Sequence, residues 1–221
     1  IEIPLANSRR TLSVDLPGHG KAVDHSASGF EPMADAVLAA LEAAGEERVH
    51  VVAHSMGGGV AIALALKAPT RIASLTLIAP ASVGPIVNTR LLKRYAEARD
   101  ETMVSLAIEQ FVGPSSKLPR AIAAHIAAGR TDPRRMAALE RGLTGMIDGT
   151  QQRLLPVARL AEIAAPVRVI WGLDDKVLPA DHADRLPGHI ALHRFAGIGH
   201  MPQVEIPREV LKIVQAAIAG E

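Results

Sequence analysis

Ser55 lies between two apolar runs of different character. It stands in Ala53-His54-Ser55-Met56-Gly57, after the β-branched stretch Arg48–Ala53 and before a small-residue, helix-forming stretch that continues to Ala68. A strand that turns directly into a helix throws the intervening side chain out above the sheet edge. Such a turn needs small residues two positions to either side, where the two backbones come close. Gly57 meets that need, and Ala53 meets it less fully than glycine. The helix beginning at Met56 also aims its first amides at any oxyanion formed beside the serine. A serine capping a glycine-rich helix start would leave the same string, so the partners decide between the two.

Serine is a weak nucleophile; it needs a base, and the base needs a carboxylate to orient it. Two carboxylates, Asp174 and Asp175, follow the apolar run Val167–Gly172. One imidazole, His200, follows the run Ile190–Phe195 in the glycine-flanked string Ala196-Gly197-Ile198-Gly199-His200. Serine, acid and histidine thus come in that order, each just past a strand-like run. The arrangement places all three groups on one edge of a sheet and predicts acyl transfer through a covalent serine intermediate. The backbone N–H of Met56 is the one oxyanion donor that can be assigned; a second donor is not identifiable.

The elements that must hold these groups alternate in type. Thr11–Asp15 reads as a strand ending in the turn Leu16–Gly20, and Pro32–Ala44 as a helix with Met33, Val37, Leu38 and Leu41 on one face. Strands follow at Arg48–Ala53, Ser74–Ala79, Val167–Gly172 and Ile190–Phe195, with a closing helix from Arg208 to Ala219. Strands separated by helices predict an α/β fold with a doubly wound, mostly parallel sheet, whose ligands sit at the carboxyl strand ends. Between Pro80 and Pro166 the strand pattern stops. Helical stretches at Leu91–Ala98, Glu101–Phe111, Pro119–Ala128 and Pro133–Gly142 take its place. The expected organisation is therefore a core of residues 1–80 and 166–221, with residues 81–165 inserted as a helical cap that roofs Ser55.

Composition removes several function classes. The 221 residues carry 24 basic and 23 acidic side chains, a formal charge of +1, without a basic cluster, so neither nucleic acid nor an anionic membrane is an expected partner. There is no cysteine, which excludes disulfides and thiolate catalysis and fits a cytoplasmic location. Aromatic residues are 2% of the chain, too few for stacking-based recognition. The nine histidines include no HExxH or comparable pair, so no metal is expected. His54 is expected to pack or line the pocket, His19 to be structural, and His182, His189 and His193 to sit on the polar surface. Gly57-Gly58-Gly59 lacks the lysine and hydroxyl of a phosphate loop.

The strings DLPGHG, AHSMGGGVAIALAL, VIWGLDDKVLP and GIGHMPQVE resemble the hallmark segments of α/β-hydrolases, and the resemblance covers nearly all of the chain outside the cap. More narrowly, LPGHGKAVD and PVRVIWGLDDKVLPADHA resemble the C-terminal domain of acetoin dehydrogenase E2 components, known as dihydrolipoamide acetyltransferases. The resemblance implies a triad of Ser55, His200 and Asp175, because the family's acid falls three residues after the strand-end glycine. Asp174 is the alternative acid. It further implies a small-molecule acyl substrate, either an ester or thioester hydrolase or an acetyltransferase activity, no cofactor, and partners among the subunits of a 2-oxo-acid or acetoin dehydrogenase complex.

The rival class is a non-catalytic docking module of such a complex. Asp175-Lys176-Val177 looks like a lipoyl-attachment tripeptide, but it follows an α/β strand instead of crowning a β-hairpin, and the His-x-x-x-Asp-Gly signature of ordinary E2 acyltransferases is absent. The family's first three strands and its oxyanion loop have no counterpart either. One of those strands would lie between Thr11–Asp15 and Arg48–Ala53. Three expectations compete there: residues preceding Ile1, which is the favoured one; direct pairing of Thr11–Asp15 with Arg48–Ala53; or a strand donated by another chain.

Overall fold

The computed structural model describes residues 1–220; Glu221, the last residue of the expected core, lies outside the described residues. A short helix α1 (Glu2–Ala6) precedes an extended stretch and the turn at Leu16–Gly20. Helix α2 (Phe30–Ala43) leads to strand β1 (Val49–His54), helix α3 (Met56–Lys67) and strand β2 (Ile72–Ile78). Four helices follow: α4 (Thr89–Glu97), α5 (Glu101–Ile108), α6 (Arg120–Gly129) and α7 (Pro133–Met146). A two-residue-per-arm hairpin comes next, β3 (Ile147–Asp148) with β4 (Gln151–Gln152). Strands β5 (Val167–Gly172) and β6 (Ala191–Phe195), the one-turn helix α8 (Pro202–Glu205) and helix α9 (Pro207–Ala219) complete the chain.

The main sheet is parallel throughout, in the order β1-β2-β5-β6. Side-chain alternation explains its two covered faces. On β5, Val167, Val169 and Trp171 join the core shared with α2 and α3, while Ile170 joins Ile78 of β2 against Val210 and Val214 of α9. Helix α3 is buried from Gly58 through Ala65, as a helix lodged beside a sheet must be when apolar all round. The ladder aligns the carboxyl strand ends, pairing His54 with Ile78, Ile78 with Ile170 and Gly172 with Phe195. Loops leaving those ends meet on one edge.

Two expectations fail here. Thr11–Asp15 forms no strand. Its pattern is extended, but no backbone ladder lies within reach, and the Asp15 carboxylate instead accepts from Lys21 N–H (2.9 Å) to fix the turn that follows. Thr11–Val14 and β1 face each other across a groove of about 840 Å³, also lined by Val60, Ala61 and Leu64 of α3. Strand β1 is accordingly only partly buried, whereas β2 and β5 are almost wholly so. The second miss is the β3–β4 hairpin in a stretch read as strand-free. Two residues per arm are too few for alternation to register, and the turn depends on Gly149 at a φ of 62°.

Among the described residues, no helix is long and apolar enough to cross a membrane.

Candidate active site

Ser55 occupies the tight connection between β1 and α3, with φ 52° and ψ −118°. A non-glycine residue in that region is strained by ~1–3 kcal/mol and persists only where the surroundings over-determine it. They do so here. Ser55 N–H donates to Ile78 O (3.0 Å), and Ser55 O accepts from Ala81 N–H (2.9 Å) and Gly59 N–H (3.2 Å). The helix-cap alternative is decided by the side chain: Oγ makes no capping bond to α3. It meets the imidazole of His200 instead.

His200 Nε2 lies 2.9 Å from Ser55 Oγ, and His200 Nδ1 lies 2.7 Å from Asp175 Oδ2. With Nδ1–H donating to the carboxylate, Nε2 is left to accept the serine proton. Both partners are shielded from water, the His200 side chain being 3% and that of Asp175 0% exposed. Asp175 is itself fully occupied. Its Oδ1 accepts from Val177 N–H (2.8 Å) and Leu178 N–H (2.9 Å), and its Oδ2 also accepts from the Trp171 indole (3.2 Å). Asp174 turns elsewhere, accepting from Gly197 N–H at 2.7 Å. Of the two carboxylates left open by the sequence, Asp175 is therefore the one against His200.

Met56 is the first residue of α3, directly after Ser55, so its N–H has no acceptor within the helix. The close backbone approach expected at Gly57 lies one residue further on. A Cβ on Gly58 would come within 2.8 Å of Pro80, and one on Gly59 would overlap the Phe30 ring, whereas Gly57 has open space beside it. Gly57 borders the groove along β1, which is why the expected crowding is absent there.

His54 donates from Nε2 to His200 O (2.7 Å), and its ring lies 4.9 Å from that of His200. Burial first and the neighbouring His200 second push its pKa down to about 3, so it is neutral at ordinary pH. His19 holds its own turn through Pro17 O (3.1 Å), and His189 is exposed. His182 departs from its expected surface position. It is buried, with neither ring nitrogen hydrogen-bonded among the described residues, edge-on to Trp171 at 6.3 Å and packed against Gly84. His193 is half-buried beside Arg168, and burial lowers its pKa. Nothing local in the sequence marks either one, because their cover comes from distant segments.

The inserted helices reach the site through the turn at Glu109–Phe111. The Phe111 ring stands edge-on to His200 at 5.9 Å, and His200 N–H donates to Phe111 O at 2.6 Å. Sequence reasoning missed both Trp171 and this turn. An indole four residues before the acid was the available signal for the first; the second has none.

A family model described as the alpha/beta hydrolase family matches residues 2–213. The acetyltransferase component of the acetoin cleaving system of Cupriavidus necator is 32% identical over 98% of this chain and 58% of its own length. The 2-hydroxy-6-oxononadienedioate/2-hydroxy-6-oxononatrienedioate hydrolase of Cupriavidus pinatubonensis is 32% identical over 93% of this chain and 74% of its own. Among solved structures, a meta-cleavage product hydrolase of Pseudomonas fluorescens superposes with a TM-score of 0.80 at 19% identity, covering 94% of this chain and 79% of that one. This chain thus spans little more than half the length of its acetoin-system relative.

Proposed function

Since the chain belongs to the alpha/beta hydrolase family, we propose that it is a serine-nucleophile acyl-transfer enzyme with Ser55, His200 and Asp175 as its triad. The observation that carries this reading is His200 bridging Ser55 Oγ and Asp175 Oδ2 at 2.9 and 2.7 Å on a strained Ser55 backbone. His200 Nε2 takes the Ser55 proton as Oγ bonds to the substrate carbonyl carbon. The carbonyl oxygen becomes an oxyanion, which Met56 N–H stabilises. His200 then gives the proton to the leaving group as its bond to carbon breaks, leaving an acyl-serine. A second acceptor repeats the sequence in reverse and frees Ser55. Residues 81–165 act as the cap over this site, and residues 1–80 and 166–221 as the core beneath it.

The substrate class is a carboxylic ester or thioester. Water as acceptor gives hydrolysis; a dihydrolipoyl thiol gives acetyl transfer, the activity named for the acetoin-system relative, with partner subunits of that kind of complex. A serine-directed fluorophosphonate tests the reading. Ser55-dependent labelling, p-nitrophenyl acetate turnover and a loss of about 10⁶ in kcat on Ser55→Ala are expected. Absence of labelling would favour the docking module. Comparing turnover with and without dihydrolipoamide separates the two acceptors.

A further inference from the structure

The loop carrying His200 is bound to the inserted helices by one carboxylate. Glu205, at the end of α8, accepts from Gly113 N–H at 2.7 Å, from Gly199 N–H at 3.0 and 3.2 Å, and from Met201 N–H at 3.3 Å. Gly199 and Met201 flank His200, and Gly113 closes the cap turn after Phe111. The two backbones are in contact: a Cβ on Gly113 would overlap Gly197 O, and one on Gly199 would stand 2.5 Å from the Val112 carbonyl carbon. Between them, His200 N–H donates to Phe111 O at 2.6 Å.

A loop with glycine at both 197 and 199 has no local reason to hold one conformation, and Gly197 sits at a φ of 76°. Its order has to come from outside. Three amides converging on the Glu205 carboxylate supply part of it, beside Gly197 N–H donating to Asp174 Oδ2 and Asp174 N–H donating to Ile198 O, since hydrogen bonds to a carboxylate are stronger than neutral ones. We propose that Glu205 is a positioning residue that sets the His200 imidazole against Ser55 and couples that setting to the cap turn, a role that rests on the serine-enzyme reading above. Glu205 touches no reacting atom. It acts on backbone, and a displacement of about 1 Å at a reacting group can cost ~10²-fold in rate.

The test uses Glu205→Ala and Glu205→Gln in the full chain, with p-nitrophenyl acetate turnover, active-site titration by fluorophosphonate and a thermal melt. Glutamine keeps the length and one acceptor oxygen but turns an NH₂ against the converging amides. Expected is a kcat per titrated site lower by about 10–100-fold in the alanine variant, with KM within about threefold, and partial recovery in the glutamine variant. A merely structural role would lower the number of titratable sites and the melting temperature while leaving kcat per site unchanged. If the alanine variant does not fold, the glutamine variant decides: a kcat per site reduced by less than about threefold overturns the proposal, and a larger loss at constant KM supports it. A parent protein that neither labels nor turns over would overturn the serine-enzyme reading and this one with it. An active parent beside an unaffected glutamine variant overturns only the role of Glu205.

Discussion

At the residue scale, two adjacent carboxylates of the same type have different partners. Asp175 faces the imidazole and three further donors, while among the described residues the Asp174 side chain receives Gly197 N–H alone. Asp175→Asn keeps the shape but presents an amide where Nδ1–H donates, so kcat should fall by about 10⁴. Asp174→Asn should stay within about threefold. Steady-state turnover of one ester by both variants checks the pair, and equal losses would overturn the assignment. His54 makes a separate prediction. Its pKa in the folded chain, about 3, lies below the ordinary histidine value of 6.5, so the unfolded chain binds the extra proton first. The stabilisation that neutral His54 allows is complete above about pH 6.5 and is lost as pH falls toward 3. The loss is of order a few kcal/mol, since a tenfold difference in proton affinity is worth ~1.4 kcal/mol. Urea unfolding of the parent and of His54→Gln between pH 4 and 7 should give the steeper fall for the parent; parallel curves would sink the idea.

At the scale of elements, the β1–α3 connection joins three glycines with unequal surroundings. Gly58 and Gly59 lie where α3 passes Pro80 and Phe30, and Gly57 opens onto the groove beside β1. Gly58→Ala should destabilise by about 1–3 kcal/mol, since its Cβ would meet backbone as well as side-chain atoms of Pro80. Gly57→Ala should be neutral or stabilise by up to ~1 kcal/mol, as alanine is the better helix former. Thermal melts of the two variants settle the order, and a larger loss at Gly57 would contradict the geometry. The inserted helices show a comparable contrast. Ala98, Val104, Ile108 and Ala123 give α5 and α6 a small core of their own, while the turn at 109–113 is held to the His200 loop by hydrogen bonds.

For the whole molecule, the sheet ends in β1 on one side and in the largely exposed β6 on the other. Strands β2 and β5 are covered on both faces and both edges, while β1 has β2 on one side and the groove on the other. Its outer edge borders the groove and pairs with no strand among the described residues. Exchange of β1 amides should therefore run at least about tenfold faster than that of β2 and β5, a gap needing only ~1.4 kcal/mol of opening free energy. Hydrogen–deuterium exchange with peptide resolution measures it directly. Equal protection in all three strands would mean that the groove is closed in solution.

The sequence by itself determined the alternation of elements and the family, and it narrowed the side chains that meet at the strand ends to Ser55, His200 and one of two adjacent carboxylates. The elements rest on local periodicity, the meeting groups on order along the chain and the family on the resemblance of its strings, all of which survive without coordinates. It also read Thr11–Asp15 as a strand, because β-type patterning reports a willing segment and says nothing about whether a partner ladder stands beside it. Only the tertiary structure decided that question, along with the choice of Asp175 over Asp174, the burial of His182 and the displacement of the tight approach from Gly57 to Gly58 and Gly59. Each of these depends on what a distant segment brings within a few ångströms. So does the carboxylate of Glu205, whose amide partners at Gly113 and Gly199 are separated by α6, α7, the β3–β4 hairpin and strands β5 and β6. Proximity of that kind is a property of the folded chain, and no local pattern encodes it.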